Sequence, residues 1–132
     1  LRVGYVVAQE ATLDKIQAVT RGGMGITYPS IFAASASMDD IEFQNKSRKL
    51  NRECREFVYT TLDKMGYEYV PSSTSFILFP IEMEGEAFLE KMTAQQVGVR
   101  AFDIMDKNWC RVSMGTMAEM KLFATALQKV LV

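Results

Sequence analysis

Apolar side chains recur along the chain with two periods, three to four residues in some stretches and two in others, and the switch between them divides the sequence into elements. Leu1–Ala8 (LRVGYVVA) is an almost unbroken apolar run and predicts a strand. Glu10 to Thr20 spaces Leu13, Ile16 and Val19 three apart, which predicts a short helix. Arg21-Gly22-Gly23-Met24-Gly25 then breaks it, because glycines leave the backbone too free to continue a helix. That stretch follows a helix and lacks the G-x-G-x-x-G and G-x-x-x-x-G-K spacings, so it reads as a flexible connection and not a phosphate cradle. Pro29 suits a first helical turn, and Ile31–Met38 is rich in Ala and Ser, small residues that permit close approach. Met38-Asp39-Asp40 supplies a cap for a long helix that reaches Met65, with Gly66 as its stop. Along it Leu50, Cys54, Phe57, Val58, Leu62 and Met65 form an apolar stripe. The basic run Lys46, Arg48, Lys49, Arg52 and Arg55 is mixed with Glu53, Glu56 and Asp63 and marks a solvated face.

Strand-like segments come next. Tyr67–Val70 and Ser75–Ile81 predict two strands joined by Pro71-Ser72-Ser73-Thr74. Gly85–Val97 predicts a helix with Phe88, Leu89 and Met92 inward and Gly98 as its end. Val99–Phe102 and Trp109–Met114 predict another strand pair around the polar stretch Asp103–Asn108, and an amphipathic helix over Met117–Leu131 buries Met120, Phe123, Leu127 and Val130. The order suits an α+β layer, with helices covering a small, mixed or antiparallel sheet. The nine methionines lie mostly at inward helical positions, where gap-filling accounts for them.

Composition narrows the chemistry. A chain of 132 residues, 48% hydrophobic and 23% charged, suffices for one core. Fifteen basic against sixteen acidic residues and a net charge of −1 argue against a general nucleic-acid binder. There is no histidine, which excludes a His-based triad, an H-E-x-x-H zinc site and an imidazole switch. Cys54 and Cys110 fit no C-x-x-C pair and read as buried free thiols in a reducing, cytoplasmic setting. No apolar run approaches a membrane span, and no signal peptide is visible. The chain opens without Met inside an apolar strand, where domains seldom begin, and a piece of a longer protein is the expectation.

Three arginines lie in or beside apolar strands: Arg2 in LRVGY, Arg100 in GVRAF and Arg111 in WCRVSMGT. Arginine in such surroundings is expensive without an anion, and its planar fork pairs bidentately with carboxylate or phosphate. For any one of them an ion pair with Asp or Glu serves as well; three together favour a small anionic ligand.

These residues also carry a family likeness. Leu1-Arg2-Val3-Gly4-Tyr5 resembles the end of the S-K-x-x-x-x-x-G-L-R-x-G-Y segment of class I/II aminotransferases of pyridoxal-phosphate fold type I. Val70–Phe79 (VPSSTSFILF) resembles the P-S-x-A-N-F-x-L-F strand of the histidinol-phosphate branch. Gly98-Val99-Arg100 followed by Trp109–Thr116 resembles its G-I-x-V-R … W-x-R-V-S-I-G-T close. Asn51 and Arg55 echo its asparagine- and arginine-bearing helix. The motifs run over essentially the whole chain in the family's order. Tyr28-Pro29 matches the family's P-Y-N-x-N only loosely.

The resemblance implies that Arg2 grips the phosphate of pyridoxal 5'-phosphate, that Arg111 binds the anionic end of the substrate, and that Arg100 assists with substrate phosphate. It implies a Schiff-base lysine upstream of Leu1, so that the isolated chain is expected to be inactive, and a homodimeric parent that uses an amino donor and a 2-oxo acid. It also implies that residues 1–38 end the large cofactor-binding domain and that residues 39–132 form the C-terminal small domain. Ser75 stands where relatives carry Asn, and Thr74 replaces a small residue. A decarboxylase of a phosphorylated amino acid on the same scaffold, and a non-enzymatic binding module whose arginines pair with its own acids, are the competing readings.

Overall fold

A computed structural model describes residues 2–20 and 25–131. They separate into two compact units, Leu1–Asn45 and Lys46–Val132. The glycine-rich break over residues 21–24 lies outside the described residues, as does Leu1; Gly25 is described and takes φ +104°.

The first unit holds α1 (Glu10–Val19), α2 (Tyr28–Asp39) and the start of α3 (Ile41–Met65). Thr27 caps α2 by accepting the Ser30 N–H at 3.4 Å, with Pro29 in the first turn. Asp40 caps α3, its Oδ1 accepting the Phe43 N–H at 2.9 Å, as the Asp pair in the sequence predicts. The expected strand over Leu1–Ala8 does not form: residues 2–9 take no regular structure, and Tyr5 and Val7 are more than four-fifths exposed. Apolar character does not make a strand without a neighbour to complete its ladder, and among the described residues none pairs with this segment. No residue of α1 is buried; Leu13 and Ile16 are half-covered.

The second unit carries the sheet. Three antiparallel strands, β1 (Phe76–Ile81), β2 (Arg100–Ile104) and β3 (Lys107–Ser113), lie in the order β1-β3-β2. Helices α3, α4 (Gly85–Ala94) and α5 (Met117–Leu131) supply the remaining elements. Period-two alternation sends Ile77, Phe79, Ile81, Cys110 and Val112 into one core with Cys54, Val58 and Leu62 of α3, Phe88 and Met92 of α4, and Met120, Phe123 and Leu127 of α5. Each of the larger side chains is worth about 1.5–3 kcal/mol of burial. Gly85 is buried where α4 meets the sheet; a Cβ there would lie 3.1 Å from that of Ala101, a tight contact that glycine avoids. The α+β class expected from the sequence is the class observed.

The helix ends show where local signals suffice. Gly66, at φ +76°, closes α3 as predicted: its N–H donates to Asp63 and that of Tyr67 to Leu62. The predicted end of α4 is wrong. The helix stops at Ala94, and Gln96, at φ +61°, takes the left-handed position that the sequence reading reserved for Gly98. The Gln96 N–H donates to Thr93 at 2.8 Å and that of Val97 to Met92 at 3.1 Å, the same closing pattern as at Gly66. A left-handed non-glycine residue costs about 1–2 kcal/mol, partly offset because glycine loses more freedom on folding. Gln96→Gly is therefore expected to stabilise the chain by about 0.5–1 kcal/mol, read as a higher urea midpoint with an unchanged slope. An unchanged or lower midpoint would show that the Gln96 side chain contributes more than its backbone strain removes.

Two strand boundaries also differ. Of Tyr67–Val70 only Val70 pairs, in an isolated bridge to Leu78 in which its N–H donates to the Leu78 carbonyl at 2.9 Å. Tyr69 instead stacks on Tyr59 of α3, with ring centroids 4.3 Å apart. The polar stretch Asp103–Asn108 is not a long loop: β2 and β3 meet in a two-residue turn at Met105-Asp106, with φ of +54° and +59°. No glycine marks that turn. Thr116 and Glu119 box the start of α5; the Thr116 N–H and hydroxyl both donate to Glu119 Oε2, at 2.6 and 2.8 Å. The Thr116 backbone N–H, and then its hydroxyl, hold the Glu119 carboxyl below the ordinary range.

Candidate anion-binding site

The helices cover one face of the sheet, and alternation sends the other half of each strand to the opposite face. From β1 that face carries Phe76, Leu78 and Pro80; from β3 Trp109, Arg111 and Ser113; from β2 Arg100, Phe102 and Ile104. Strand register fixes their neighbours. Arg111, on the central strand, lies opposite Leu78 on one side and Arg100 on the other. Two of the three arginines singled out in the sequence are thus direct cross-strand partners, with Cβ atoms about 4.5–5.5 Å apart in such pairs.

Like charges placed opposite one another across a ladder repel. Among the described residues, neither Arg100 nor Arg111 has a carboxylate within salt-bridge distance. The reading in which these arginines serve as internal ion pairs is not what the fold shows. Arg111 is half-buried, and its guanidinium lies between two aromatic rings, with Cζ 5.2 Å from the Phe76 centroid and 5.6 Å from that of Phe102. Its Nε is buried and has no hydrogen-bond partner. A buried donor left unpaired costs about 1–3 kcal/mol, which an incoming acceptor recovers.

The two rings flank the guanidinium and limit its orientations, while its edge stays suited to hydrogen bonds. That edge suits two oxygens of a carboxylate or phosphate, and Arg100, which is exposed, adds a second cation beside it. Phe76 and Phe102 were missed in the sequence, although a signal existed. Phe102 follows Arg100 by two residues and so shares its face; Phe76 required the β1–β3 register.

Arg2 lies in the first unit. It is exposed, sits at φ +52°, and has no carboxylate partner among the described residues. Its side chain is therefore available to an anion. All eight lysines are exposed, without the burial that tunes a lysine for covalent chemistry. Cys54 and Cys110 are buried free thiols, as expected. Burial pushes both thiols up from their ordinary values, so neither is poised as a nucleophile. Among the described residues no group of His, Cys, Asp and Glu is arranged to hold a metal, and no helix is long and apolar enough to cross a membrane.

Fold and site together define an α+β unit that presents paired cations, framed by aromatic rings, on the open face of its sheet. Residues 1–127 match the family described as aminotransferase class I and II, and the chain belongs to that family. Among curated relatives it is 30% identical, over 99% of its own length, to a histidinol-phosphate aminotransferase of Caldicellulosiruptor saccharolyticus. It is 34% identical, again over 99% of its length, to histidinol-phosphate aminotransferase 1 of Dechloromonas aromatica. The chain spans 37% and 36% of those relatives. Among solved structures, a protein assigned as a histidinol-phosphate aminotransferase from Erwinia carotovora atroseptica superposes with a TM-score of 0.72 at 30% identity, over 79% of this chain and 30% of that one. A protein assigned as an aminotransferase from Burkholderia pseudomallei gives the same TM-score of 0.72 at 17% identity, over 90% of this chain and 37% of the other, and shows the shared fold alone.

Proposed function

We propose that this chain is the C-terminal part of a pyridoxal-phosphate-dependent aminotransferase of the histidinol-phosphate type and supplies its anion-binding arginines. The observation that carries this reading is Arg111: a half-buried guanidinium held between Phe76 and Phe102, with an unpaired buried Nε and no acidic partner among the described residues. Such a side chain is prepared for a ligand that arrives from outside the chain.

In this reading residues 39–132 form the small domain and residues 1–38 end the large one. The guanidinium edge of Arg111 binds the anionic end of the substrate through two parallel hydrogen bonds, which fixes its orientation as well as its position. Arg100 lies beside it for a substrate phosphate, and the pair's mutual repulsion is relieved when the anion enters. Arg2 holds the phosphate of the cofactor, a role that its exposure and lack of an acidic partner fit. When bound, pyridoxal phosphate supplies the electron sink that stabilises a carbanion at the substrate. The lysine that links the cofactor is assigned to the parent enzyme upstream of Leu1, so the isolated chain should not turn over. A cytoplasmic homodimer is the setting that belongs to this reading.

The test is an assay of the complete enzyme with histidinol phosphate in the presence and absence of a 2-oxo acid. Turnover that requires the 2-oxo acid is the expected result. Release of carbon dioxide from a phosphorylated amino acid without an acceptor would replace this reading with the decarboxylase.

A further inference from the structure

Asn51 and Arg55 share one face of α3, four residues apart. Both donate to a single acceptor: Asn51 Nδ2 lies 3.2 Å, and Arg55 Nη1 3.0 Å, from the carbonyl oxygen of Thr74. Neither side chain lies on the sheet face that carries Arg100 and Arg111, and the site described above makes no use of them. Asn51 Oδ1 is buried without a partner, a penalty kept while its amide serves Thr74.

Thr74 stands two residues before Phe76, and the segment between them is tied at every step. The Thr74 N–H donates to Ser72 Oγ at 3.0 Å, and the Phe76 N–H to Thr74 Oγ1 at 3.3 Å. The Ser72 N–H donates to the Tyr59 hydroxyl at 2.7 Å, and the Ser75 carbonyl accepts the Met114 N–H at 2.8 Å. The chain thus enters β1 from a loop fastened to α3 at Thr74 and Ser72. The first side chain of β1 is Phe76, whose ring covers the Arg111 guanidinium.

We infer that Asn51 and Arg55 are positioning residues that fix Phe76 over Arg111 through the Thr74 carbonyl, and so set the orientation in which Arg111 receives an anion. This rests on the reading of Arg111 as the substrate's anion partner. An arginine and an asparagine on one carbonyl exceed what holding a loop requires, since Tyr59 already anchors it at Ser72. With both donors lost the loop stays attached, but the start of β1 gains freedom, the ring shifts, and Arg111 samples orientations that miss the anion.

The experiment is steady-state kinetics of the complete enzyme with the amino donor varied, using Arg55→Met, Arg55→Lys, Asn51→Ala and, as reference, Arg111→Gln. Arg55→Met is expected to raise KM about tenfold while kcat changes less than about threefold, because binding geometry is lost and the chemistry is not. Arg55→Lys, which keeps one donor, should recover most of that loss; a role in stability alone would give neither the split nor the recovery. Asn51→Ala should raise KM about threefold, and it keeps the test open if Arg55→Met does not fold. An unchanged KM in Arg55→Met and Asn51→Ala, with a raised KM in Arg111→Gln, overturns the positioning role and leaves the site intact. An unchanged KM in Arg111→Gln overturns both.

Discussion

Arg111→Gln in the complete enzyme is expected to lower kcat/KM for the amino donor by about 10²–10³-fold. Truncating one partner of a desolvated, hydrogen-bonded charge pair costs about 2–5 kcal/mol, and the middle of that range corresponds to such a loss. The folded protein should not suffer comparably. Removing Arg111 ends its repulsion with Arg100 and the burial of an unpaired Nε, against which stand two cation–π contacts worth about 0.5–1 kcal/mol each at partly exposed sites. These effects nearly balance, and stability should change by less than about 1 kcal/mol. Arg111→Lys keeps the charge but not the fork, and should recover only part of the activity. Kinetics paired with urea unfolding checks both halves. A variant that unfolds while its surviving molecules keep a normal kcat/KM would make Arg111 a structural residue.

The largest effect on stability belongs to Phe79. It is fully buried at the centre of β1 and meets Tyr67 and Phe123 edge-on, with ring centroids at 6.3 and 6.4 Å. Phe79→Ala removes the ring's burial, leaves a cavity between the sheet and α5, and forfeits both aromatic contacts, for a loss of about 3–5 kcal/mol. Small domains hold about 5–15 kcal/mol in total, so this one change consumes a large share. Urea unfolding followed through Trp109, the chain's single tryptophan, is the measurement. Phe79→Leu should lose distinctly less, since it keeps most of the volume. Equal losses from the two substitutions would mean that the ring contacts, and not the filled volume, hold this layer together.

Phe79 and Arg111 were read from the sequence with different completeness. An apolar residue in the apolar run Ser75–Ile81 announces a strand with at least one buried face, and the register decides that Phe79, and not Phe76, enters the core. An arginine in a similar run announces a conflict and leaves its resolution open: internal carboxylate or external anion. The register of β2 and β3, which sets Arg100 opposite Arg111, and the lack of a nearby acid among the described residues set the first of these aside. The Asn51–Arg55 motif was visible as a likeness on a helix. Its common acceptor, Thr74, lies 23 residues from Asn51 and could not be seen along the chain.

Legible along the chain was what depends on near neighbours in sequence: the α+β class, α3 with its cap and period, the period of α5, the turn at Gly66, and the three arginines as candidates for an anion. Tertiary structure decided what depends on partners distant in sequence. It withheld a strand from residues 2–9, which find no ladder among the described residues. It placed left-handed backbone at Gln96, Met105 and Asp106, where no glycine gives warning, because helix closure and hairpin twist there outweigh a local strain of about 1–2 kcal/mol per residue. It also brought Arg100, Arg111, Phe76 and Phe102 together on one face of the sheet, because only strand register determines which side chains meet across it.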